Sequence, residues 1–126
     1  MKPHEEWLFK AEQDLKSAEL LLNARDALLD IAIYHCQQCA EKALKAYLTF
    51  KEQEIDKTHN LVLLVERCQH VESEFSALID QAVFLRPYAT LYRYPSGDLL
   101  PPKKDVEAAL EKAGIVLVFV TRKIRH

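Results

Sequence analysis

Apolar positions recur along this chain at steps of three and four, the spacing that lays one stripe on an α-helix. Trp7, Leu8, Ala11, Leu15, Ala18, Leu21 and Leu22 predict a first helix from about His4 to Asn23. Pro3 suits its start, where a missing N–H costs nothing. Glu6 with Lys10 and Glu12 with Lys16 are acid-then-base pairs four apart on its wet face. Ile33, Cys36, Ala40, Ala43, Leu44 and Tyr47 mark a second helix, from roughly Ala27 to Phe50. The segment KEQEIDKTHN reads as a connection that ends in Thr58 or Asn60 as a helix cap. Leu61, Leu64, Val65 and Cys68 predict a short third helix. Phe75, Leu78, Ile79, Ala82 and Leu85 predict a fourth, which Pro87 ends or kinks near Arg86. Tyr88 to Pro102 is irregular, with Pro95, Gly97, Pro101 and Pro102 and little periodicity. A last helix begins near Pro102 or Lys103 and carries Val106, Leu110, Ala113, Leu117, Val120 and Ile124.

Within that last helix the run GIVLVFV, Gly114 to Val120, is apolar on every side. A strand could produce such a run, but the helical rhythm continues on both flanks. A helix apolar all round needs cover all round, from a deep central position or from a homodimer interface. No repeat, low-complexity tract or linker divides the chain. The expectation is one all-α domain over residues 1–126, an antiparallel up-and-down bundle of four to five helices joined by short loops.

Composition narrows the function classes. Apolar residues make up 49% of the 126, enough for a core without disulfides or a structural metal. Two glycines are too few for the many tight turns of an all-β protein. A formal net charge of −2 gives no global basic surplus for nucleic acid, leaving only a local patch. The start MKPHEEWLFK lacks a signal-peptide core, and the longest uncharged apolar stretch, Ala113 to Thr121, is too short to span a bilayer. With three cysteines, an odd number, these features predict a cytoplasmic protein without a membrane partner.

The chain has no Walker loop, no G-x-S-x-G, no H-E-x-x-H and no dinucleotide fingerprint. Cys36 and Cys39 form a C-x-x-C, and with His35, Cys68 and His70 they write a zinc set on paper. Both thiols fall inside a strong helical pattern, so they read instead as small core residues, and no metal or cofactor is expected. His35, Gln38, Lys42, Lys45 and Thr49 form a polar, partly basic stripe on the second helix. Aligned cations can grip a phosphate, but a solvated face carrying an ordinary Glu41–Lys45 pair is the plainer expectation. The most distinctive segment is LRPYATLYRYPSGD, where Arg86, Tyr88, Tyr92, Arg93 and Tyr94 mix rings with guanidinium groups. Such a mixture stacks bases and holds phosphates, forms a protein interface, or caps a bundle end. His59 can serve as an acid or base, though nothing identifies a nucleophile for it.

The run YHCQQCAEKALKAYLTFKEQEIDKTHNL followed by an apolar helix pair and YATLYRYPSGD resembles the HEPN domain family over nearly the whole chain. The resemblance implies a bundle that usually dimerises and that pairs with a minimal nucleotidyltransferase, often as a toxin–antitoxin module. Many members are metal-independent ribonucleases that use an arginine and a histidine separated by four to six residues. This chain departs from that pattern: two residues separate Arg67 from His70, and three separate Arg122 from His126. The resemblance therefore implies a non-catalytic, nucleotide-associated or partner-binding subunit of the RYP-bearing kind, with Lys42, Lys45, His59, Arg93 and Tyr94 as the candidate nucleotide pocket. The alternative is a divergent ribonuclease toxin using His59, Arg93 and Tyr94, with RNA as substrate. A simple dimeric scaffold is a third reading. Tyr92 and Tyr94 carry little weight as acceptors of a transferred nucleotide, because the Arg–His motif that accompanies such acceptors is absent.

Overall fold

The structure, a computed structural model, describes residues 1–95 and 97–125. Five α-helices follow one another: α1 (Pro3–Asn23), α2 (Leu29–Phe50), α3 (Leu61–Val71), α4 (Ile79–Leu85) and α5 (Lys103–Arg125). Among the described residues there is no strand. The expected all-α bundle is what the chain forms.

Helix α2 holds the centre. Ala32, Ile33, Cys36, Cys39, Ala40, Ala43, Leu44, Ala46, Tyr47 and Leu48 are all at most 1% exposed, which no single stripe would require. It packs on α1, α3 and α5. His4 of α1 meets Phe50 at a ring separation of 5.0 Å and Lys45 lies over Trp7, so α1 and α2 run antiparallel. The turn between them closes when the Leu28 N–H donates to the Leu21 carbonyl at 3.2 Å, which holds Ala27 and Leu28 outside α2. Asn60, not Thr58, caps α3: its Oδ1 accepts from Val62 at 3.0 Å and Leu63 at 3.3 Å, while Thr58 Oγ1 accepts from Asn60 N. These bonds satisfy donors that the first helical turn leaves open.

The expected fourth helix is built in three pieces. Ser73–Leu78 is a 3-10 helix, α4 is seven residues, and Arg86–Ala89 is again 3-10. Pro87 cannot donate, and its own carbonyl instead accepts from Thr90 and Leu91 at 3.2 and 3.0 Å, which tightens the chain at that point. Phe75 in the first piece is fully buried against Tyr47 and Phe119, with ring centroids 4.3 and 5.0 Å away.

Of the two ways the sequence left open for covering the last helix, α5 does not take the deep central position. Val106, Ala109, Ala113, Val116, Leu117 and Val120 face the core, whereas Ile115 and Val118 are 41% and 49% exposed. The deep central position belongs to α2, so the all-apolar run of α5 is covered on one side only. No helix of the described residues is long and apolar enough to cross a membrane.

Candidate functional site

The polar stripe of α2 is neither solvated nor free. At 100° per residue, Tyr34, Gln38, Glu41 and Lys45 fall on one line along the helix, flanked by His35 and Lys42 on one side and Gln37 on the other. Gln37, Gln38, Glu41 and Lys45 are buried, as is Asp14 of α1, which faces them. Burial of so many polar groups requires partners, and the structure supplies them.

Two carboxylates organise the face. Asp14 accepts from Lys42 Nζ through Oδ2 and contacts His35 Nδ1 through Oδ1, both at 2.7 Å. Glu41 accepts from Lys45 Nζ at 3.1 Å, from Gln37 Nε2 at 3.2 Å and contacts His59 Nδ1 at 2.8 Å. Because a carboxylate can only accept, Nδ1 of each histidine donates, and each ring turns its Nε2 away from the acid. Burial pushes the Glu41 carboxyl up, but the hydrogen bonds from His59 and Gln37 and the charge of Lys45 outweigh it and hold the group below the usual carboxylate range. Glu41 is thus a buried anion, with side-chain exposure of 5%, facing an imidazole that is 69% exposed.

Arg93 joins the face from the irregular segment. Its guanidinium carbon lies 3.6 Å from the centroid of the Tyr34 ring, and that ring meets His35 edge-on at 6.0 Å. The backbone reaches this position through Tyr92, whose φ of 68° is an outlier for a bulky residue. Tyr92 is braced by its ring stacked on Tyr88 at 6.2 Å and 10°. Strain held in this way costs about 1–3 kcal/mol and clusters where a side chain must be aimed. Among the described residues Arg93 has no carboxylate partner, and Tyr94 beside it is 76% exposed.

The structure thus brings Lys45 and His59 together on Glu41, and sets Lys42 on Asp14 with His35. Arg93 stacks at the Tyr34 end of the same face, and Tyr94 projects outward with its ring open. Three participants escaped the sequence reading. Asp14 had a signal: it sits in the apolar register of α1 between Ala11 and Ala18, where a charged residue needs a buried partner. Tyr34 and Gln37 had none, since only tertiary contact assigns them to Arg93 and to the His59 carbonyl.

The cysteines take no part in this chemistry. Cys36, Cys39 and Cys68 are buried and unpaired, and desolvation pushes the Cys36 and Cys68 thiols up to about 12. Among the described residues no group of three His, Cys, Asp or Glu side chains is gathered as a metal set. Of the two short Arg–His spacings, the one ending in His126 lies outside the described residues.

Comparison with curated proteins gave no match. Two solved structures are similar over 98% of this chain and 99% of their own. One is ST0689, an archaeal HEPN homologue, with 27% identity and a TM-score of 0.80. The other is TT1696 from Thermus thermophilus, with 26% identity and a TM-score of 0.84. The HEPN domain matches residues 4–124, which takes in every helix described above together with the polar face of α2, and the chain therefore belongs to the HEPN domain family.

Proposed function

We propose that this chain is a non-catalytic HEPN subunit that binds a nucleotide on the polar face of α2 and pairs with a minimal nucleotidyltransferase in the cytoplasm, as a toxin–antitoxin-like module. The observation that carries the reading is a row of buried charge beneath exposed cationic and aromatic groups. Buried ion pairs add little stability compared with apolar packing, so Asp14–Lys42 and Glu41–Lys45 have no good reason to sit inside a bundle unless they hold something in place. What they hold is the His59 imidazole, fixed by Glu41, and the His35 ring, whose edge-on neighbour Tyr34 carries the Arg93 guanidinium on its face. Tyr34 and Glu41 are seven residues apart, about 10 Å along the helix. A sugar with its phosphates bridges that distance; a lone inorganic phosphate does not. In this arrangement Arg93 and His59 contact the phosphates, Tyr94 offers a ring for the base, and Lys42 and Lys45 keep the face from being net acidic.

Calorimetric titration with ATP tests the site. Binding of ATP but not of inorganic phosphate, weakened at least tenfold in Arg93→Ala and His59→Ala, is the expected result. Equal binding by the variants would refute the site. The pairing is tested by purifying the tagged chain from its host and identifying what co-elutes; recovery without a nucleotidyltransferase would reject it.

One observation favours a second reading, a divergent metal-independent ribonuclease. The His59–Glu41 pair has the form of an oriented general base, with an exposed imidazole that can reach a ribose hydroxyl. RNA cleavage that disappears in His59→Ala, with the fold intact, would establish this reading in place of the first.

A further inference from the structure

We infer that His59 meets the ligand's phosphate as an imidazolium, so that nucleotide binding takes up one proton from solvent, and that Gln37 is the positioning residue that imposes this state. The inference rests on the nucleotide reading of the α2 face, and the direction of the hydrogen bonds carries it. Gln38 Nε2 donates to Gln37 Oε1 at 2.7 Å, and Gln37 Nε2 donates at 3.2 Å both to Glu41 Oε1 and to the His59 carbonyl. One fully buried amide thus holds both partners of the His59–Glu41 pair, the acid by an oxygen and the histidine by its backbone. On the far side of His59, Asn60 is fixed as the cap of α3, and its N–H donates to Thr58 Oγ1. The ring is therefore set in place before any ligand arrives.

The surroundings of Glu41 decide where the ring's proton sits. Lys45 Nζ donates to Oε2 at 3.1 Å, and Gln37 and Gln38 donate to Oε1, so His59 Nδ1 at 2.8 Å is the one neighbour able to accept a proton from the acid. Those donors and the Lys45 charge hold the Glu41 carboxyl below its ordinary range, and the proton stays on Nδ1. A neutral ring of that form carries a lone pair on Nε2, and a lone pair repels a phosphate oxygen. A second proton turns Nε2 into a charge-assisted donor, with the carboxylate behind the ring to balance its charge. Among the described residues Glu41 is the one carboxylate within ion-pair distance of the His59 ring. Asp14 of α1 is taken by Lys42 and His35, and Asp56 of the connecting segment by Arg67 of α3. Glu41 is ionised wherever an imidazole titrates, so the added proton comes from solvent rather than from the acid.

Calorimetric titration of the full chain with ATP, in buffers of different ionisation enthalpy, measures the protons exchanged. At about pH 8 a free imidazole and a terminal phosphate are both largely unprotonated, so uptake there belongs to the complex. About one proton per ATP is expected, with affinity falling about tenfold per unit as the pH rises from about 7 to 8, as linkage requires. NMR of the imidazole nitrogens locates the proton. At the higher pH the free protein should show His59 in its Nδ1–H tautomer, the opposite of the one that prevails in free histidine, and the ATP-saturated protein should show the imidazolium. Gln37→Met keeps the shape of the side chain without its donors; it should lose the tautomer preference and bind ATP roughly tenfold more weakly. Circular dichroism checks its fold, and should it not fold, the tautomer in the parent chain gives the same reading. ATP binding without proton uptake, uptake while His59 stays neutral, or a free His59 in the Nε2–H tautomer would each overturn the inference and leave the nucleotide site standing. A folded Gln37→Met with unchanged tautomer and affinity would overturn the role of Gln37. No binding of ATP at either end of the pH range would remove the site itself, and the inference with it.

Discussion

Replacing Glu41 by leucine removes the anion on which the inner half of the polar face depends, and the structure gives the size of the effect. Lys45 and Glu41 have side-chain exposures of 9% and 5%, with Lys45 Nζ also 5.8 Å from the Trp7 ring centroid. Taking away one partner of a buried pair costs about 3–5 kcal/mol, because the other charge stays behind without compensation. The lysine stem is long enough to swing its head toward water, which sets the expectation for Glu41→Leu at the lower end, about 3 kcal/mol, or roughly 10 °C in melting temperature for a chain of this size. Gln37 retains the His59 carbonyl as acceptor, and Gln38 retains Gln37 Oε1 at 2.7 Å, so neither amide is orphaned. Replacing both ions, in Glu41→Leu/Lys45→Met, removes the buried charge altogether and should return stability to within about 1 kcal/mol of the parent. Urea titrations of the parent, both single variants and the double variant measure the cycle, and a coupling above about 2 kcal/mol is expected, well beyond the scatter of independent sites. A cost below about 1 kcal/mol for Glu41→Leu, or a double variant as unstable as the sum of the singles, would refute the reasoning. The double variant also separates stability from function, since it should fold and no longer orient His59 for a ligand.

The other expectations follow from burial and charge. Phe75→Ala should lose about 3–5 kcal/mol in the same titration, because a fully buried ring in contact with Tyr47 and Phe119 leaves a cavity that short 3-10 structure cannot close. All three cysteines should resist a thiol reagent in the native protein and react together on unfolding, since burial raises each thiol; rapid labelling of any one would contradict its position. Glu41 has its folded pKa below the ordinary 4.5, so the stability it contributes is present above that value and is lost as pH falls through the folded pKa. Melting temperature should therefore drop as the pH is lowered below 4.5, and Glu41→Gln should show a smaller drop than the parent.

The helices could be read from the chain because their apolar spacing extends over many turns. α1 and α2 begin and end within two residues of the sequence expectation, α5 begins within one, and the Asn60 cap was one of two candidates. The fourth helix was less legible: Phe75 to Leu85 keep a helical rhythm, yet a 3-10 turn holds nearly the same spacing over so short a span, and Pro87 disrupts the end. Membership of the HEPN family also lay in the sequence, in the helix-two run, KTHNL and RYP.

Periodicity marks which residues share a face and leaves open what covers that face. His35, Gln38, Lys42 and Lys45 were visible as a stripe, but an exposed stripe and one buried against Asp14 and His59 have the same spacing, so only packing made it an ion-paired interior row. The run GIVLVFV was equally silent on its surroundings: α2 occupies the centre, and Ile115 and Val118 are left in the open. Arg93 belongs with Tyr34 through a left-handed residue at Tyr92, a backbone choice that no propensity for tyrosine predicts. Helices and family could be read in one dimension, because local spacing and motif are properties of the chain. The polar face could not, because burial and pairing belong to residues that only folding brings together.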